Sequence, residues 1–291
     1  MGLNLAALGL MALARASGAD FSRVVMIGRQ RLDVSAEALG AFFQKRHRAD
    51  IASRMAAEPM DGYCERLLAV AFGASVVQSI DASNYEQADI VHDMNTQLEP
   101  TEHFSAVLDF GTLEHVFNIA MAFDNVARLC APGAHILHVL PSNNFVGHGF
   151  YQFSPELFFQ IYSPERGFQG TRVFAAPGGT PDLWYEVRAP RELGARVEFT
   201  SRDQLYLLVI TQKAGEPTPL MQQAVQQSDY VQLWRKKPRQ AAKDRRRGPV
   251  ARMALAASTG MRHRLKVARK DVSSARGDMI PRPVLLLTPD F

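Results

Sequence analysis

The stretch FSAVLDFGTLEHVFNIAMAFDNVARLCAPGAHILHVLP (104–141) decides the fold. It opens with a short apolar run ending on Asp109-Phe110-Gly111, continues with a helical pattern over 117–130, and returns to an apolar run over 135–144. A strand, a helix and a second strand in that order make a crossover between parallel strands. Pro132-Gly133 is a stop signal of the kind that ends such a helix.

The same alternation extends outward. Strands are expected at 23–28, 75–81 and 88–95 before it, with helices over 35–48 and 61–72. After it, SPELFFQIY (154–162) reads as a helix with Ser154 as cap and Pro155 in the first turn, where a missing N–H costs nothing. From 171 the pattern changes to strands at 171–177, 182–190 and 203–213, the last expected as an antiparallel edge. The chain therefore reads as an α/β protein with a mostly parallel, doubly wound sheet and an antiparallel edge strand. Three regions follow: an N-terminal helix packed on the domain over 1–22, the α/β domain over 23–215, and a basic C-terminal extension over 216–291.

With 291 residues, 47% of them hydrophobic, the chain can bury a large core. Its net charge of +4 conceals a division. Residues 1–234 hold 17 Lys and Arg against 25 Asp and Glu, whereas 235–291 hold 16 against 4. Two cysteines, Cys64 and Cys130, are too few for a disulfide framework, so a reducing, cytoplasmic setting is expected. The apolar N-terminal stretch has no Lys or Arg before Arg15 and is shorter than the ~20 residues of a membrane span. It is expected to be an amphipathic helix rather than a signal.

In open α/β sheets ligands lie at the carboxyl ends of the strands. Here Asp81 follows the second strand, Asp93 the third and Asp109-Phe110-Gly111 the fourth. Singly each acid reads as a turn residue; as a series they suit a nucleoside-shaped ligand, Asp81 accepting from ribose hydroxyls and Asp93 from an adenine amino group beside Met94. After the fifth strand comes PSNNFVGHGFYQFSPELFF (141–159). Its Asn143, Asn144, His148, Tyr151 and Gln152, interleaved with phenylalanines, read as an acceptor-binding loop or as a loop packed by its own side chains. His148 and His115 are the candidate bases, with Tyr151 as a relay. His47, His92, His103 and His135 lack ligand spacing, and no metal is expected. Cys64 and Cys130 read as core residues.

The segment 104–141 resembles the fourth strand, following helix and fifth strand of class I S-adenosylmethionine-dependent methyltransferases, through Leu113-Glu114-His115, Leu129 and Pro132-Gly133. The resemblance spans roughly 20–213 and implies a Rossmann-like fold, S-adenosylmethionine as cofactor, and methylation of a small-molecule or glycan-linked acceptor. It further implies that Asp81 holds the ribose, Asp93 and Met94 the adenine, that Phe110 and Gly111 flank the cofactor, and that His115 sits near its face. One departure stands out: after the first strand the family has an acid and a Gly-rich turn, where this chain reads Met26-Ile27-Gly28-Arg29-Gln30. Gly28 is retained, and Arg29 could meet the cofactor carboxylate as a bidentate partner. Two readings follow, a modified pocket in an active enzyme or a pocket that has lost the cofactor. The first includes attack on the aminocarboxypropyl carbon or a cyclisation releasing methylthioadenosine; the second is a non-catalytic scaffold.

The tail RKKPRQAAKDRRRGP (235–249) is a solvated basic run. A structural extension, an anionic membrane surface or a protein partner all suit it. Nucleic acid suits it less, because few aromatic residues lie beside it for base stacking.

Overall fold

The computed structural model describes residues 2–57, 61–193, 197, 201–222, 224–235 and 284–285. The basic run expected over 235–249 thus lies, but for Arg235, outside the described residues.

Strands β1 (Arg23–Ile27), β2 (Val76–Asp81), β3 (Ile90–Val91), β4 (Phe104–Asp109) and β5 (Cys130–Asn143) run parallel. They are continued by β6 (Phe168–Pro177), β7 (Leu183–Val187), β8 (Leu205–Lys213) and β9 (Val284–Leu285), in the spatial order β3-β2-β1-β4-β5-β8-β6-β7-β9. The chain order reverses between β1 and β4, which makes that gap the topological switch point of a doubly wound, Rossmann-like sheet. Strand β8 is antiparallel as expected, but it lies inside the sheet between β5 and β6 rather than at its rim. Its side chains are buried on both faces, which an edge strand does not require. The antiparallel rim is instead formed by β7, paired with β6, and by β9.

Alternation along β1 sorts the core into two layers. Val24 and Met26 face one layer, with helices α1 (Leu5–Ala16), α2 (Ala36–Gln44), α3 (Ala49–Ala56) and α4 (Glu65–Phe72). Val25 and Ile27 face the other, with α5 (Ile119–Leu129) and α6 (Pro155–Ile161). Helix α1 is capped by Asn4, whose Oδ1 accepts from the Ala7 N–H at 3.0 Å. Leu8, Leu10 and Met11 are fully buried, and the helix packs against residues of β5 and β8 such as Val139 and Leu208. Burying a side chain of that size contributes about 1.5–3 kcal/mol. Among the described residues no helix is long and apolar enough to cross a membrane.

Several expected boundaries move for local reasons. The helix expected over 35–48 shortens to α2, ending before His47, which has φ +57°, and a further helix that the sequence reading did not name, α3, follows it. The helix expected over 61–72 begins only at Glu65. The strand expected over 88–95 shortens to Ile90–Val91, since Asp93 Oδ1 accepts from the Asn95 N–H at 2.9 Å and turns the chain away. Helix α5 ends at Leu129 rather than at Pro132-Gly133. Pro132 disfavours helix at Ala131 before it; the chain is already extended from Cys130, which opens β5, and the Pro-Gly pair lies within that strand near a shift in its register with β4. Ser154 caps α6 as expected, its Oγ accepting from the Glu156 N–H.

The extension expected from 216 does not leave the body at once. Leu220 N–H donates to both Asp124 carboxylate oxygens, Arg166 donates to the Thr218 carbonyl, and Ser228, at the start of helix α7 (Ser228–Arg235), bonds to Glu156 and Gln160.

Candidate functional site

The crevice is bounded by the turns that follow β1, β2, β3, β4 and β5. At the end of β1, Gly28 has φ +71°, and a Cβ there would stand 2.6 Å from Thr112 Oγ1. Glycine is therefore required on two grounds, backbone conformation and close approach of the next turn. Thr112 Oγ1 donates to the Ile27 carbonyl at 2.7 Å. Gln30 Nε2 donates to the same carbonyl at 2.6 Å, which fixes the amide orientation. Gln30 Oε1 is left buried with no hydrogen-bond partner. Met26, at the position where the resembling family carries an acid, is fully buried among α1–α4, where a carboxylate would be desolvated without a partner.

Arg29 is committed elsewhere. Its Nε lies 2.6 Å from Glu65 Oε1, its Nη1 donates to the Glu86 carbonyl, and its guanidinium stacks 4.0 Å from the Tyr63 ring centroid. The Glu65 bond, above all, raises its pKa further. These partners engage the guanidinium that the sequence offers to a cofactor carboxylate.

Asp81 is half-buried, and its Oδ1 accepts a long 3.4 Å bond from the Ser83 N–H. Asp93 is exposed, and the N–H of Asn95 holds its carboxyl below the usual range. Met94 is 5% exposed and packs into the layer of Ile27, Ile80 and Leu98, so it can only floor a site above it. Phe110 is buried, and Gly111 has φ +95°.

At the end of β4 a buried relay appears that motif reading passed over. Asp109 Oδ2 lies 2.7 Å from His138 Nδ1, and His138 Nε2 lies 2.7 Å from the Tyr162 hydroxyl. One consistent assignment has the tyrosine O–H donating to Nε2 and the Nδ1–H donating to the carboxylate. Burial pushes the Tyr162 phenol far above its ordinary value, so it remains a donor. The other Asp109 oxygen accepts from the N–H groups of Thr112 and Leu113 and thereby sets the single 3₁₀ turn Leu113–His115.

That turn carries Glu114, which is fully buried and has no hydrogen-bond partner on either carboxylate oxygen. Burial, and next the nearby Asp109, push its carboxyl up to about 8. Its Oε1 lies 3.4 Å from His148 Nε2 and 3.8 Å from His115 Nε2. Burial, followed by His148, lowers the His115 pKa, so this imidazole is neutral at pH 7.

The loop after β5 closes onto the turn. Phe150 and Tyr151 N–H groups both donate to the Glu114 carbonyl. Gly149, at φ +68°, passes so near that a Cβ would meet that oxygen at 2.8 Å. Tyr151 Oη donates to the Phe117 carbonyl at 2.6 Å, and Gln152 Oε1 accepts from the Phe145 N–H. Asn144 donates to the Ser201 and Asp203 carbonyls, and Asn143 to Ser201. Of the five polar side chains expected to bind an acceptor, these four thus brace the loop through the bonds they make, while His148 reaches Glu114. Clustering of polar residues in sequence does not separate bracing from binding.

A cleft of about 710 Å³ opens beyond Gln30 between α2, α3 and the segment that precedes them. Its described lining, including Leu32, Leu39, Ala52 and Met55, is largely apolar and contains none of the strand-end acids.

No protein-family model matches this chain, and a search of curated proteins finds no match. Some solved structures are similar to it at low identity. The N-methyltransferase NodS from Bradyrhizobium japonicum WM9, in complex with S-adenosyl-L-homocysteine, is 16% identical over 72% of this chain and 85% of its own, with a TM-score of 0.37. The YcgJ protein from Bacillus subtilis is 12% identical over 70% of this chain and 97% of its own, with a TM-score of 0.38. A putative methyltransferase from Bacillus halodurans is 13% identical over 72% and 99%, with a TM-score of 0.36. At these values their chemistry is not carried over to this chain. The strand order itself defines the class: a Rossmann-like doubly wound fold, as the resemblance to class I methyltransferases implies.

Proposed function

We propose that the chain binds S-adenosylmethionine and transfers its methyl group to a small-molecule or glycan-linked acceptor. The observation that carries this reading is the series of acids, Asp81 and Asp93, set at strand ends around Gly28 and Gly111 at the switch point. The nucleoside half of the cofactor fits these residues. Asp81 would accept from the ribose hydroxyls, Asp93 from the adenine amino group, and the backbone at Phe110-Gly111 would line the ring. For the methionine arm the orphaned Gln30 Oε1 is the fitting partner, an acceptor suited to an ammonium group. When bound, the cofactor supplies an electrophilic methyl carbon on a sulfonium.

The protein's task in such a transfer is positioning and activation of the acceptor. His148, His115 and Glu114 form the group toward which the acceptor's reactive atom would be directed, on a turn fixed by Asp109 and a loop fixed by Gly149. A second reading is favoured by the tight turn at Gly28, where a Cβ would meet Thr112 Oγ1 at 2.6 Å. A displaced methionine arm would present its aminocarboxypropyl carbon, and the coproduct would be methylthioadenosine. A scaffold without cofactor is the third.

Calorimetric titration of the full chain with S-adenosylmethionine and S-adenosylhomocysteine tests the proposal. Binding by either supports it; a folded protein that binds neither at millimolar concentration overturns it. Asp81→Ala should weaken binding by about 1.5–3 kcal/mol, the range for hydrogen bonds to a charged group. Unchanged affinity would remove Asp81 from the ribose site. Chromatography of the turnover products then separates methyl transfer from release of methylthioadenosine.

A further inference from the structure

We propose that Glu114, His115 and His148 form a binding site for one divalent transition-metal ion. Each offers one ligand atom, and the three atoms lie within 4.8 Å of one another. Three ligands at about 2.1 Å from a tetrahedral ion stand about 3.4 Å apart. The separations from Glu114 Oε1 to the two imidazole Nε2 atoms are 3.4 and 3.8 Å. Two sides of the triangle are therefore near the length an ion would draw them to, and the third is bounded by the same 4.8 Å.

Glu114 points to a ligand independently of this spacing. Its side chain is wholly buried, both oxygens lack a hydrogen-bond partner, and His148 Nε2 is likewise buried and unpartnered. Buried polar atoms are normally satisfied, and each left unpaired costs about 1–3 kcal/mol. A cation between them satisfies a carboxylate oxygen and two imidazole lone pairs together.

The surroundings hold the three ligands in place. Asp109 fixes the turn that carries Glu114 and His115, backed by His138 and Tyr162. The Phe150 and Tyr151 N–H groups clamp the Glu114 carbonyl, and the absence of a Cβ at Gly149 lets the His148 loop close on it. Two imidazoles and one carboxylate suit Zn²⁺, Fe²⁺, Co²⁺ or Mn²⁺ better than Mg²⁺ or Ca²⁺, which prefer all-oxygen shells. Three protein ligands leave at least one coordination position open, the arrangement of catalytic rather than structural sites. The task of the ion rests on the function proposed above, whereas the site itself does not. An acceptor hydroxyl bound at the open position would have its pKa lowered and release its proton to bulk water. The imidazoles would then act as ligands, and activation would pass from a histidine base to the ion.

The test uses the full chain without a histidine tag, stripped with chelator and titrated with Co²⁺ by visible absorption and with Zn²⁺ in competition. One equivalent of Co²⁺ is expected to bind with the intense bands of a four- or five-coordinate site, and Zn²⁺ should displace it. Glu114→Gln and His148→Ala should each weaken binding at least 10-fold, with far-ultraviolet circular dichroism unchanged, while His103→Ala, an exposed histidine away from the cluster, should leave it intact. Absence of binding at 100-fold excess over a micromolar protein sample overturns the site, as does binding that survives both ligand variants. Titration of the same sample with S-adenosylmethionine is read separately, so loss of the cofactor reading and loss of the metal site are distinguishable.

Discussion

Tyr162, His138 and Asp109 show how a few buried polar residues position a surface turn. Each is enclosed, and each hydrogen bond has a donor facing an acceptor, so the chain is satisfied from end to end. Removing one donor leaves the next group without its partner. Tyr162→Phe strands the His138 Nε2 acceptor in the core and should lower unfolding free energy by about 1–3 kcal/mol. Tyr151→Phe removes a hydroxyl bonded to the Phe117 carbonyl near the surface, where water can replace it, and should cost about 0.5–1.5 kcal/mol. Urea unfolding of the two variants gives the order; the reverse order would show that the relay is not a stabilising unit. Of this group only Asp109 was legible beforehand, because it closes a strand. His138 becomes its partner through the register of β4 on β5, which pairs Asp109 with His138, and no spacing rule along the chain exposes that pairing. In the Glu114–His115–His148 cluster the two histidines were legible as candidate bases, but the part of Glu114 was not, for a related reason. Glu114 and His115 are adjacent, but His148 joins them only because Gly149 permits the loop to fold back onto the Glu114 carbonyl.

At the scale of elements, apolar periodicity carried most of the reading, and its failures were local. The alternation of strand and helix from β1 to β5 was legible because each segment is long enough for its period to appear. Strand β8 was legible as a strand but not in its place, since insertion between β5 and β6 depends on which neighbours remain unpaired after the parallel strands assemble. Helix α1 is the clearest case of an element whose worth comes from packing. It is apolar on nearly every face, and Leu8, Leu10 and Met11 are fully enclosed by β5, β8 and the neighbouring helices. Leu10→Ala should therefore destabilise the fold by about 2–5 kcal/mol, the range for a buried leucine cut to alanine. Leu13→Ala, on the partly buried side of the helix, should cost clearly less. Equal losses in thermal or urea unfolding would mean that α1 is held loosely on the sheet.

Over the whole molecule, charge is divided between an acidic body and a basic tail, and the two ends invite different partners. The strand-end acids contribute to the negative charge of the body, in keeping with a crevice that takes donors rather than anions. The tail adds 16 Lys and Arg within residues 235–291, including Arg245-Arg246-Arg247. Screening restricts attraction to about 8 Å at physiological salt, so a polyanion would sense the tail and body separately once they stand further apart than that. Affinity for anionic surfaces should therefore reside in the tail alone. Retention of the full chain on heparin, or binding to vesicles containing phosphatidylserine, should fall steeply with added salt. Replacing Arg245, Arg246 and Arg247 together by serine should weaken vesicle binding by about 1 kcal/mol per residue removed. The melting temperature should stay unchanged. Retention that is insensitive to the triple substitution, or a melting temperature that falls with it, would place the tail against the acidic body and assign it a structural role.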